Sequence, residues 1–156
     1  MYKYAVRTMI RRSVGSLNQG RVEPTLKVFA EGATLTFPGD NTWSRMFHTP
    51  GRERHAVVTH EGRDEIEAFL RRYVDHGIQM EVEDILVNGP PWRTRVAVRC
   101  HVWIPESAPP GTTDRYSNRA VLMATVVWGK IVAQEDYEDP MRVDAYEHAF
   151  PELVAR

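Results

Sequence analysis

The chain has 156 residues, enough for one domain that buries roughly 70% of the surface its unfolded form exposes. Twenty Lys and Arg stand against twenty-one Asp and Glu, and this formal charge of -1 leaves no electrostatic footprint for a nucleic acid or an anionic membrane. No stretch approaches the roughly 20 uncharged apolar residues of a membrane span, and the single cysteine, Cys100, excludes an internal disulfide and a thiolate metal cluster.

The opening residues, MYKYAVRTMIRRS, lack the apolar core of a signal peptide because Arg7 and Arg11-Arg12 interrupt it, so a reducing, cytoplasmic location is expected. Val6, Met9, Ile10, Val14 and Leu17 follow helical spacing, and Asn18-Gln19-Gly20 supplies a stop. Pro24 suits the first turn of a short second helix, whose stripe is Val22, Leu26 and Phe29 and whose end is Gly32. Ala33 to Phe37 then has the pattern of a short strand. Pro38-Gly39-Asp40-Asn41 is turn chemistry and opens a long loop over about 39–61, of the kind that is usually functional or mobile. Asp64 and Glu67 resemble a capping box for a third helix, with Ile66, Phe69, Leu70, Tyr73 and Val74 on its apolar face and Gly77 as its stop.

Three β-rich stretches follow: Ile78 to Val87, Arg93 to Ile104, and Arg115 to Tyr137 broken at Trp128-Gly129-Lys130. Asn88-Gly89-Pro90-Pro91 and residues 107–113 connect them, which predicts an antiparallel meander. Helices first and strands last argue for one α+β domain over residues 1–156, with the helices on one face of the sheet.

Three blocks carry a resemblance: LNQGRVEPTLKVFAEGATLTFPG (17–39), EGRDEIEAFLRRYVDHG (61–77) and WGKIVAQEDYEDP (128–140) resemble, in this order, the nuclear transport factor two-like superfamily and its SnoaL-like members. The resemblance implies a cone-shaped, curved mixed or antiparallel sheet wrapped around three N-terminal helices. It also implies a pocket between sheet and helices and often a homodimer across the outer sheet face. The superfamily holds isomerases, epoxide hydrolases, cyclases, dehydratases and members without catalysis, so fold alone does not name a reaction. Carried over from the ketosteroid isomerases, the oxyanion-hole tyrosine falls at Ser13, the base at Phe37 and the later aspartate in Val121-Leu122, and all three depart from the pattern. Carried over from limonene epoxide hydrolase, Arg99 and Asp136 match while His101 replaces the acid.

Read from the residues, alternation puts Arg99, His101 and Trp103 on one strand face and Val132, Gln134 and Asp136 on one face of another. If those faces coincide, Asp136 is a base, His101 its partner or the acid, and Arg99 a stabiliser of negative charge. The alternative is that Val96, Val98, Cys100 and Val102 face the core and turn Arg99 and His101 outward. The run Glu135-Asp136-Glu138-Asp139 equally fits a solvated edge strand.

Phe37, Trp43, Trp103 and Tyr116, with Gln134, are the candidate walls of a site for an apolar small molecule. His48, His55 and His60 have spacings of seven and five, which do not place two ligands on one helix face, so no metal is expected. Nor is an organic cofactor. The function expected is cofactor-free acid and base chemistry on a polyketide, terpenoid or steroid-like molecule. The alternative is a non-catalytic protein of the same fold that binds a hydrophobic ligand or assembles as a dimer.

Overall fold

In a computed structural model of the chain, described over residues 1–38, 57–105 and 115–151, four helices accompany one six-stranded sheet. Helix α1 (Tyr2–Asn18) and the short α2 (Glu23–Leu26) precede strand β1 (Phe29–Pro38). After β2 (Val57–Glu61) come α3 (Gly62–Asp75) and then β3 (Gln79–Asn88), β4 (Thr94–Ile104), β5 (Tyr116–Val127) and β6 (Lys130–Glu138). Helix α4 (Pro140–Ala149) follows the sheet.

The strand order is β2-β1-β6-β5-β4-β3, with the predicted antiparallel meander running from β3 to β6. Strand β1 lies parallel to β6, so the sheet is mixed. Register shifts between Phe29 and Thr34, Val82 and Asp84, and Thr125 and Val126 bend the strands, and the sheet curves without closing.

One face of the sheet holds the core. In β4 the even positions from Thr94 to Ile104 are buried and the odd ones are not. The buried set meets Val6, Ile10 and Leu17 of α1 and Ile66, Phe69, Leu70 and Tyr73 of α3. Polar residues of α1 also cover the β3 edge. Arg7 Nε donates to Ile85 O at 3.3 Å, Arg11 Nη1 donates to Val82 O at 3.4 Å, and Asn18 exchanges two hydrogen bonds with the Met80 backbone at 2.8 and 2.9 Å. An edge that would template another chain is thereby occupied.

Several expectations are corrected. Strand β1 begins at Phe29, not Ala33, because α2 is a single turn, and Gly32 lies within the strand instead of ending a helix. The last part of the expected 39–61 loop is strand β2, paired antiparallel to β1 from Thr34↔Glu61 to Pro38↔Val57. In α3 the N-cap is Glu61, whose backbone N–H donates to Glu65 Oε2 at 2.8 Å, so Asp64 and Glu67 are not the capping pair. Helix α4 lies in the stretch to which no element was assigned. Its start is Asp139-Pro140: Asp139 Oδ1 accepts from Met141 N at 3.0 Å, and proline takes the first turn. No described helix is long and apolar enough to cross a membrane.

Candidate active site

Pairing with β5 places Gln134 opposite Ala124, Asp136 opposite Leu122 and Glu138 opposite Ala120, so the three polar side chains share the inner face of β6. That face borders two adjoining cavities. The first, about 80 Å³, lies between α1, α3 and the sheet, with Ile10, Val14, Leu70, Val98, Gln134 and Asp136 among its walls. The second, about 60 Å³, extends toward Phe37, Ile78, Val102, Tyr116 and Glu138. Phe69, Tyr73, Met80, Leu122 and Asp136 border both. Asp136 therefore stands where the two lobes meet, on a wall that is otherwise almost wholly apolar.

This environment governs proton affinity. Asp136 touches the cavity and is elsewhere enclosed by protein; desolvation raises its pKa from 3.8 to about 7, against a lowering hydrogen bond from Gln134 and with a further push from Glu138. Gln134 Nε2 donates to Asp136 Oδ1 at 2.8 Å. Glu138 is likewise raised by burial from 4.5 to about 7, although Tyr116 Oη donates to its Oε2 at 3.1 Å. Asn118 Nδ2 in turn donates to Tyr116 Oη at 2.8 Å and to Asp139 O at 3.0 Å, which fixes the tyrosine ring. The Cys100 thiol is pushed up to about 12 by burial, which makes it an unreactive core residue and not a nucleophile.

The predicted residues divide. Asp136 and Gln134 line the first lobe, and Phe37 and Tyr116 the second. Arg99 and His101 are not with them. The apolar alternates of β4 take the core, so both turn to the outer face: Arg99 Nε pairs with Glu83 Oε2 at 2.9 Å, and His101 Nε2 contacts Ser117 Oγ at 2.8 Å. Trp103 is also corrected to the outer face, its ring stacked on His101 with centroids 5.1 Å apart. Trp43 lies outside the described residues, as do His48 and His55. His60 is fully buried between Phe37 and Phe69. Among the described residues no three His, Cys, Asp or Glu side chains cluster as metal ligands do.

Glu138 and the Tyr73 hydroxyl were missed as site groups. Extending the Gln134-Asp136 alternation by one more step reaches Glu138, but the residue sits in an acidic run that equally suits a solvated strand. Tyr73 belongs to the core stripe of α3, and nothing in helical spacing separates its hydroxyl from an ordinary core ring.

Residues 10–134 match the family model described as a SnoaL-like domain. No curated protein matches the sequence. Among solved structures, the epoxide hydrolase/cyclase-like enzyme SalBIII, described with a role in pyran ring formation in polyether salinomycin, is similar. It shows 18% identity over 90% of this chain and 95% of that chain, with a TM-score of 0.64. IdmH, a candidate polyketide cyclase from Streptomyces antibioticus, shows 21% identity over 92% and 98% with a TM-score of 0.64. An NTF2-like protein of unknown function from Cytophaga hutchinsonii shows 15% identity over 87% and 91% with a TM-score of 0.58. At such identities the likeness establishes fold and leaves the reaction to the residues of the site.

Proposed function

The chain belongs to the SnoaL-like domain family, and from that premise we propose that it is an enzyme working by acid and base catalysis, without a cofactor, on a mostly apolar small molecule of polyketide, terpenoid or steroid-like type. The observation that carries this reading is the pair Asp136 and Glu138 on one apolar cavity wall, each held to a pKa of about 7. Two interacting carboxyls of that affinity hold on the order of one proton between them near neutrality, so one serves as acid while the other serves as base.

The chemistry follows from this division. The ionised carboxylate removes a proton from the carbon beside a carbonyl, or from an attacking water, while the protonated partner gives a proton to the oxygen that gains charge. Isomerisation, aldol-type cyclisation, dehydration and water addition all reduce to these transfers. Gln134 sets the orientation of Asp136 by its hydrogen bond. The apolar walls keep water from competing and keep charge interactions strong.

The test is α-proton exchange of 2-tetralone in deuterated water, followed by NMR, together with opening of 1-methylcyclohexene oxide. The wild-type protein is expected to accelerate at least one of the two, and Asp136→Asn to lose on the order of 10²–10⁴-fold in rate. Turnover of neither compound, or turnover that survives in Asp136→Asn, overturns the reading.

The outer sheet face supports a homodimer. Leu86, Val121 and Tyr137 are large apolar groups exposed there, around the ion pair of Arg99 with Glu83. Light scattering on the wild type and on Val121→Glu tests this: a dimer that the substitution splits is expected, and a monomeric wild type refutes it. A cytoplasmic setting agrees with the buried, reduced Cys100.

A further inference from the structure

Tyr73 projects from the inner face of α3 to the junction of the two cavity lobes and borders both. Its hydroxyl is buried and has no hydrogen-bond partner among the described residues. Tyr116, the other tyrosine on the cavity wall, is the contrast, since its hydroxyl donates to Glu138 and accepts from Asn118. Buried hydroxyls are nearly always paired, because desolvation without a partner is costly. A cavity that leaves one unpaired on the wall it shares with a carboxylate, where both lobes meet, is arranged for an atom that arrives with the ligand.

We infer that Tyr73 Oη is the docking point for an oxygen atom in the middle of the ligand, so that the cavity selects molecules with a carbonyl, ether or epoxide oxygen between two apolar halves. The two lobes take the two halves. The oxygen lies at their junction, with Tyr73 as donor on the helix side and Asp136 on the sheet side. Burial, with the charges of Asp136 and Glu138 nearby, raises the pKa of the phenol, so it remains a hydrogen-bond donor at any physiological pH. This assignment rests on the cavity being a ligand site, as proposed above. It adds the group that recognises the oxygen and the position of that oxygen within the ligand.

Benzophenone and diphenylmethane test it, because they share two apolar halves and differ only by the central carbonyl oxygen. Calorimetric titration of the wild-type protein is expected to show benzophenone bound about 3- to 10-fold more tightly, the range of one net hydrogen bond. Tyr73→Phe is expected to abolish that preference while leaving diphenylmethane affinity unchanged. Removal of an unpaired buried hydroxyl is also expected to raise the Tm by about 2–4 °C. A ring with a merely structural role predicts no change in ketone preference.

Equal affinity of the wild type for both probes overturns the inference and leaves the ligand-site reading in place. So does a preference that persists in Tyr73→Phe. If neither probe binds, the ligand-site reading itself fails and takes the inference with it. Should Tyr73→Phe not fold, Tyr73→Leu is titrated with the same two probes, and loss of the ketone preference there supports the inference while its persistence overturns it.

Discussion

Asp136 and Glu138 stand two residues apart on β6 and face the same cavity wall, yet each is held by its own donor: Gln134 Nε2 at 2.8 Å from Asp136 Oδ1, and Tyr116 Oη at 3.1 Å from Glu138 Oε2. Each donor favours the ionised form, and in both cases burial outweighs it, so both pKa values end above their ordinary range.

This makes folding stability depend on pH in a definite direction. In the unfolded chain the two carboxyls lose their protons near their ordinary values of 3.8 and 4.5, whereas in the folded chain they keep them to about 7. The folded state therefore binds more protons in between. The stability these groups contribute is full below the unfolded values, falls as pH rises, and is lost above the folded values. Unfolding free energies from urea titrations between about pH 5 and pH 8 are expected to fall with a slope of at most about 1.4 kcal/mol per pH unit for each group. Asp136→Asn, which cannot ionise, should flatten the slope and be the more stable protein at the alkaline end. His76, lowered by burial, and His148, raised by its hydrogen bond to the Asp144 backbone, add their own pH dependence, but both proteins share them and the difference cancels their effect. Parallel slopes for the two proteins refute the burial of Asp136.

Tyr116→Phe removes the donor to Glu138 and, with the same atom, the acceptor of Asn118 Nδ2 at 2.8 Å. Asn118 keeps its second bond to Asp139 O at 3.0 Å, so its amide is only half deprived. A loss of about 1–2 kcal/mol of stability is expected from the buried groups left unmatched. The Glu138 carboxyl, without the bond that favoured its ionised form, should titrate at higher pH than in the wild type. Carboxyl-carbon NMR titration reads this directly, and a Glu138 titration that stays in place shows the bond to be unimportant.

Arg99 and His101 lie on the face turned away from the cavity. The Arg99–Glu83 pair spans 2.9 Å, with the arginine side chain 61% exposed, and such pairs contribute little because water screens them. Arg99→Ala and His101→Ala are each expected to change stability by less than about 1 kcal/mol and to leave turnover at the Asp136 site unchanged. Rate assays on the two variants check this, and a loss as deep as that of Asp136→Asn in either one returns the residue to the site.

The helices with apolar stripes, the meander and the α+β architecture were legible because burial on one face imposes periods that the sequence must carry. The ambiguity at Arg99 and His101 arose because β4 alternates two kinds of residue and a period of two does not say which set turns inward. Its burial pattern decides for Val96, Val98, Cys100 and Val102. The early start of β1 was hidden by Gly32, which punctuates helices and is also tolerated in a strand whose register shifts beside it. Helix α4 was missed because Val143 and Tyr146 are its only buried residues, too few to make a stripe, although Asp139-Pro140 announced its start. That the Tyr73 hydroxyl has no partner among the described residues depends on what does not surround it in three dimensions, and no one-dimensional pattern encodes that.

The β5–β6 connection offers a test of local strain. Val127 pairs with Lys130, so Trp128 and Gly129 form a two-residue turn with φ of 49° and 82°. Such a turn requires positive φ at both positions, which glycine and asparagine accept and a bulky side chain resists at about 1–2 kcal/mol. Trp128 recovers part of that cost from Trp92, whose ring centroid is 6.1 Å away, but both rings are largely exposed. An exposed pair of this kind contributes toward the lower end of about 0.5–1.5 kcal/mol. Strain therefore exceeds pairing, and Trp128→Asn is expected to be more stable by roughly 0.5 kcal/mol. Trp92→Ala removes the pair without touching the turn, so its urea midpoint should fall slightly while that of Trp128→Asn rises. Equal losses in the two variants mean that ring contact, and not backbone strain, decides the energy of this turn.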